Sequence, residues 1–284
     1  MVTGGALTAF VRETCVVGPA PSSRPAPLLL LPVLVATALP AQDWRTASPA
    51  GTDRVAIAFD DLRARTIWFG GRCTDGPIAD TWEHDGALWR QVTTTHFPGP
   101  RTLHALAFDS ARGRVVLFGG MTPGSRQMLA ETWEYDGSDW TQVTTAVQPT
   151  ARTGHAMAFD AARNRTVLFA GYGQTFNTCF GDTWEYDGGQ WRQFTVAAPP
   201  ARHEHAMAYD RARGRTVLFG GISCSGPFLA DTWEWNGSAW SARAAPGPNA
   251  RYGQAMTFDD VRGRVVMHGG ASALTLTDTW SSMA

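Results

Sequence analysis

The chain has 284 residues, of which 44% are hydrophobic and 11% aromatic, with only 17% charged and a formal net charge of −1. That composition can bury a sizeable core, and a nearly balanced charge lacks the clustered positive field that nucleic acid or an anionic membrane surface requires. All 24 basic residues are Arg, which excludes a Schiff-base Lys and a phosphate loop ending in GK[ST].

The first element is an apolar run from Leu28 to Leu39, broken by Pro32 and preceded by Pro27. It is too short to span a bilayer as a helix and ends in small residues, so residues 1–41 read as a secretory signal, with cleavage after Ala38 or Ala41. The expected location is secreted, periplasmic or at the cell surface, with no integral membrane segment once the signal is removed. Cys15 leaves with the signal, and Cys73, Cys179 and Cys224 remain in a disulfide-permissive setting. Their spacing matches no zinc pattern.

From residue 42 onward the chain is a repeat. A glycine doublet recurs at Gly70-Gly71, Gly119-Gly120, Ala170-Gly171, Gly220-Gly221 and Gly269-Gly270, at intervals of 49, 51, 50 and 49 residues. Each is followed by an acid-Thr-Trp triplet beginning at Asp80, Glu131, Asp182, Asp231 and Asp278. An isolated Trp recurs at Trp44, Trp89, Trp140, Trp191 and Trp240, so that ten of the twelve Trp occupy recurring slots. Within a unit, "HALAFD" and "RVVLFGG" flank a polar turn and predict a hairpin, strands a and b; "ETWEYD" and "WTQV" flank a glycine turn and predict strands c and d. Four short strands per fifty-residue period indicate an all-β propeller in which each unit is one blade. The blades are expected at about 52–93, 101–145, 152–195, 202–243 and 251–284.

The glycine doublet, the aromatic pair Trp133 and Tyr135 in strand c and Trp140 in strand d together resemble the kelch-repeat family, in particular the bacterial repeats similar to the central domain of galactose oxidase. The resemblance covers residues 42–284 and implies a kelch-type β-propeller of four-stranded blades; the five units counted here make it five-bladed, whereas kelch rings of six or seven blades are more usual. The last unit reaches its triplet at Asp278 without a following strand d, whereas "DWRT" places a spare strand d ahead of the first unit. Residues 42–48 are therefore expected to complete the fifth blade and close the ring, removing an open sheet edge.

Because strands alternate in direction, the a-to-b and c-to-d turns share one end and the b-to-c and d-to-a loops the other. The first end is monotonous. The b-to-c loops vary, with 8, 10, 10, 9 and 7 residues between doublet and triplet, so binding is expected there. Candidate binding residues are Arg126, Tyr172, Phe176, His203, Phe228 and Tyr252, together with a recurring set in which Arg101, Arg152, Arg202 and Arg251 precede His104, His155, His205 and Gln254 by three residues. That recurrence suits hydrogen bonding to loop carbonyls blade by blade, and also an anion or sugar subsite. No metal site or cofactor is expected, because equivalent positions on separate blades do not converge on one ion.

The recurring Glu83, Glu134, Glu185 and Glu234 are read as partners of strand b Arg residues or backbone groups; a hydrolase needs two carboxylates converging on one bond. Neither GxSxG nor HExxH occurs. Cys179 and Cys224 fall in b-to-c loops of adjacent blades and are candidates to pair. The expected function is a non-enzymatic scaffold, monomeric, binding a protein or glycan. The alternatives are a galactose-oxidase-like or glycosidase enzyme on the same fold, and a lectin-like binder with one sugar per blade.

Overall fold

The computed structural model describes residues 54–73, 76–122, 124–175, 178–244 and 247–282. Among them every regular element is a strand, and the sheets form a five-bladed β-propeller. Blade 1 comprises strands a to d at Ala56–Asp60, Arg65–Phe69, Thr81–His84 and Trp89–Val92. Blade 2 comprises Ala105–Asp109, Arg114–Phe118, Thr132–Tyr135 and Trp140–Val143. In blade 3, Ala156–Asp160 and Trp191–Phe194 flank two long strands, Arg165–Gly173 and Cys179–Tyr186. Blade 4 comprises Ala206–Asp210, Arg215–Phe219, Thr232–Trp235 and Trp240–Arg243. Blade 5 shows three strands, Ala255–Asp259, Arg264–His268 and Thr279–Ser281. All pairings are antiparallel, in the order a-b-c-d.

The a-to-b turn is built by its Asp. Asp109 Oδ1 accepts the backbone N–H groups of Ala111 and Arg112, both at 3.1 Å, and Arg112 Nε returns to Asp109 Oδ2 at 2.7 Å. A side chain that bonds its own backbone two and three residues on replaces a turn hydrogen bond, which is why the "DxxR" phrase recurs. The glycine doublet has a different cause. At Gly119, with φ 68°, an added Cβ would lie 2.8 Å from the Arg152 carbonyl of the next blade, so that blade can approach only where a side chain is absent.

The core lies between blades. Strand b of blade 2 buries Val115 and Leu117 against blade 1, with Ile67 and Phe69, and Val116 and Phe118 against blade 3, with Leu168 and Trp184. Burial on both faces explains its unbroken apolar run. The strand d Trp of blades 2, 3 and 4 also reaches back one blade: Trp140 Nε1 donates to Thr81 Oγ1 at 2.9 Å, Trp191 to Thr132 and Trp240 to Thr183, both at 2.8 Å. The Glu after each strand c Trp also works across the joint. Tyr135 Oη donates to Glu83 and Tyr186 Oη to Glu134, both at 2.8 Å, while Trp235 Nε1 donates to Glu185. The arginines on these acids come from the a-to-b turns, Arg112 on Glu134 and Arg213 on Glu234, which corrects the expectation of strand b Arg partners.

The joint between blades 5 and 1 differs. Ile57 and Phe59 on strand a of blade 1 are 55% and 58% exposed, where Leu106 and Phe108 at the same register of blade 2 are 7% and 9% exposed. Ala255 and Thr257 on the facing side of blade 5 are exposed as well. A polar link spans this side at the turn end: Arg211 of blade 4 lies 3.1 Å from Asp61 and 3.6 Å from Asp260. Residues 42–48, expected to complete blade 5, and the whole signal segment lie outside the described residues.

Candidate functional site

The loop end is organised around four buried arginines. Arg152 is fully buried, and its Nε donates to the Thr150 carbonyl at 2.9 Å while Nη1 donates to the Ala170 carbonyl at 2.9 Å. Its fork also grips Asp182 through Nη1–Oδ1 at 2.7 Å and Nη2–Oδ2 at 2.9 Å. Trp184 Nε1 donates to the same Oδ2 at 2.7 Å. The acid and Trp of the triplet are thus one unit with the arginine thirty residues before them. Arg202 with Asp231 and Arg251 with Asp278 repeat the arrangement, and Arg101 bonds Glu131 through a single contact. Burial alone would raise the Asp182 carboxyl, but the Arg152 guanidinium beside it outweighs this and holds it below the usual carboxylate range. Four forks used in this way act as internal clamps, each tying a d-to-a loop to its own doublet and triplet.

Inside the clamps a belt of backbone bonds runs round the channel mouth. Leu103 N donates to the Arg54 carbonyl, Gly154 N to Leu103, Glu204 N to Gly154 and Gly253 N to Glu204, at 3.4, 3.0, 2.7 and 2.9 Å. The belt residues take positive φ, 57° at Leu103, 54° at Glu204 and 60° at Gly154. His104, His155 and His205 follow them, each 6% exposed and stacked edge-on against Phe69, Phe118 and Phe169 of the preceding blade. The ring nitrogens meet no partner at strict hydrogen-bond geometry, but the Phe69 and Phe118 carbonyls of the preceding blade lie beside His104 and His155. Burial pushes His104 and His205 down to about 3, reinforced by the charge of Arg101 or Arg202. The rings are therefore neutral at ordinary pH and serve as packing. Gln254, in the same slot of blade 5, donates Nε2 to the Phe219 carbonyl at 2.8 Å.

The variable loops contribute an aromatic row over blades 3 to 5. Tyr172 meets His203 edge-on with ring centroids 5.3 Å apart. His203 pairs in register with Ile222, which bridges to Phe228. Phe228, 38% exposed, lies over Tyr252 at 5.1 Å and 31°. Cys179 and Cys224 form a disulfide with Cα atoms 5.8 Å apart, joining the long hairpin of blade 3 to the b-to-c loop of blade 4. Phe180, beside Cys179 on the same hairpin, sits under the Arg152 guanidinium at 4.1 Å.

Of the residues singled out from sequence, Tyr172, His203, Phe228 and Tyr252 are brought together. Arg126 is exposed on the b-to-c loop of blade 2, with φ 52° and its carbonyl near Gln174 Nε2. Phe176 lies outside the described residues. Ile222 was not anticipated; its place between two aromatic slots follows only from the pairing of Arg202–His203 with Ile222–Ser223. Among the described residues no group of three His, Cys, Asp or Glu could hold a metal ion, and no helix is long and apolar enough to cross a membrane.

No family model matches the chain, and no curated protein matches it. Among solved structures the chain is similar to "Structure of YjhT", itself a propeller, at 16% identity and a TM-score of 0.64, over 79% of this chain and 74% of that one. At that identity the likeness establishes the propeller fold.

Proposed function

We propose that the protein is an exported, non-enzymatic kelch-type propeller that binds a glycan through one composite site on its loop face. The observation that carries this reading is the row Tyr172, His203, Ile222, Phe228 and Tyr252, half-exposed and contiguous across three blades. A sugar ring presents an apolar C–H face that packs on aromatic rings and hydroxyls that bond polar neighbours. Polar groups stand in the same loops: Ser223 and Ser225, whose hydroxyls bond each other, lie between Ile222 and Phe228 in sequence, and Glu204 lies 3.7 Å from His203. A row built from different residues in each blade favours a single site over one sugar per blade. The Cys179–Cys224 crosslink suits an exported protein and limits loop movement, lowering the ordering cost of binding.

The test is a glycan array probed with the mature protein and with Phe228→Ala/Tyr252→Ala. Selective retention that the double variant loses, with unchanged melting, supports the proposal. An array without signal, or a signal indifferent to the two rings, removes it; capture of a protein ligand by the same rings would make the face a protein-binding one.

A further inference from the structure

Blades 2 to 5 each join four parts at the loop end: the buried clamp arginine, the acid of the triplet, the triplet Trp and the first carbonyl of the doublet. The arginine donates Nη1 to that carbonyl, at Gly119, Ala170, Gly220 and Gly269, over 2.9 to 3.1 Å. The acid it holds also accepts an indole N–H, from Trp133, Trp184, Trp233 and Trp280 in turn. Blade 1 has the acid, the Trp and the carbonyl, in Asp80, Trp82 and Gly70, but its arginine slot, four residues before strand a, is Thr52 in the sequence. Two differences accompany this among the described residues. Trp82 Nε1 is buried without a hydrogen-bond partner, so the Asp80 carboxylate is not held against it. The Gly70 carbonyl is taken by Trp68, whose Nε1 donates to it at 3.0 Å. Trp68 stands where strand b of the other blades has Leu117, Leu168, Leu218 and Met267, each opposite its own triplet Trp as Trp68 is opposite Trp82. Trp68 is 4% exposed, which covers the carbonyl, whereas Asp80 is only partly buried and within reach of solvent.

We propose that Asp80 and Trp82 form a binding site for an external guanidinium, the arginine side chain of a peptide or protein partner, which docks on blade 1 as the clamp arginines dock on the other blades. The three clamps built on Asp are two-pronged, each guanidinium reaching both carboxylate oxygens, while Glu131 is held by a single contact. Asp80 is therefore the acid that suits a planar fork, and an ammonium, which is a point charge, fits it less well. Binding turns the carboxylate so that it accepts the Trp82 N–H as well, which pairs a buried donor that otherwise costs stability. The site lies on blade 1, outside the aromatic row of blades 3 to 5, and does not depend on the glycan reading.

The indole N–H supplies the test. The full chain, labelled for proton–nitrogen spectroscopy, is titrated with ethylguanidinium at constant ionic strength, the Trp82 indole resonance being assigned by Trp82→Phe. A saturable downfield shift of that resonance is expected with ethylguanidinium and with an end-blocked arginine peptide, and not with ethylammonium. Asp80→Asn should abolish it. Trp68→Leu, which returns the Gly70 carbonyl to the fork, should tighten binding by roughly tenfold, the worth of one hydrogen bond to a charged group; because it tests the geometry by gain, it decides the matter even where Asp80→Asn does not fold. A resonance indifferent to the guanidinium, one that ethylammonium moves equally, a shift that a folded Asp80→Asn chain retains, or a Trp68→Leu chain that binds no tighter would overturn the proposal.

Discussion

The clamps make a sharp prediction at Arg152. Replacing it with Ala removes the fork from both oxygens of Asp182 and the donors from the Thr150 and Ala170 carbonyls. It also takes the cation from over Phe180. Removing one partner of a buried ion pair leaves the other desolvated without compensation, at a cost of about 3–5 kcal/mol. In a domain of this size each kcal/mol moves the melting midpoint by roughly 2–4 °C, so a fall of roughly 6 to 20 °C is expected by calorimetry or circular dichroism. Arg152→Lys recovers only part of it, because an ammonium cannot serve two carboxylate oxygens and two carbonyls in one plane.

The pH dependence has a definite sign. Asp182 is held below its ordinary range when folded, so the stability it contributes is present above the unfolded value near 3.9 and is lost as pH falls through the folded one. The gap between wild type and Arg152→Ala should therefore be full at pH 7 and shrink below about pH 4. An Arg152→Ala protein that melts normally and changes only its ligand binding would refute the clamp and return this arginine to the binding surface.

Other expectations concern separate parts of the ring. His104, His155 and His205 are kept neutral by burial, so the unfolded chain binds more protons than the folded one below pH 6.5, and stability should fall as the pH drops from there toward 3. Replacing all three with Gln, the residue blade 5 already uses, should flatten that slope in pH-dependent denaturant titrations. Trp191→Phe keeps most of the ring but drops the hydrogen bond to Thr132, leaving a buried hydroxyl unpaired at about 1–3 kcal/mol; a double-mutant cycle with Thr132→Val should show coupling. Reducing the Cys179–Cys224 bond should raise amide exchange in the loops of blades 3 and 4 while leaving blades 1 and 2 unchanged.

The architecture was legible because each recurring residue has a fixed structural task. The glycine doublet permits close approach of the next blade, Asp109 and its counterparts write the turn, and the tryptophans fill the joints. The partners of those residues were harder to read. That Glu131, Asp182, Asp231 and Asp278 close on arginines some thirty residues earlier depends on how a d-to-a loop folds back over its own blade, which no local pattern encodes. The two tyrosines and the tryptophan that bond Glu83, Glu134 and Glu185 sit in the next blade, some fifty residues away, and only the ring geometry makes them neighbours. The aromatic row was half visible. Tyr172, Phe228 and Tyr252 stand out as bulky residues in otherwise polar loops, but their contiguity depends on Ile222 and on the short pairing at Arg202–His203.

The central claim is a division of labour: recurring polar residues hold the ring, and the unrepeated aromatic row does the binding. The most direct measurement is melting and glycan-array binding recorded side by side for Arg152→Ala and for Phe228→Ala/Tyr252→Ala. The account predicts a crossed result, in which the first variant melts lower and, below its transition, keeps the array profile, while the second melts normally and loses it. The reverse pattern, with the clamp variant stable but blind to ligand and the aromatic variant unstable but binding, would contradict it.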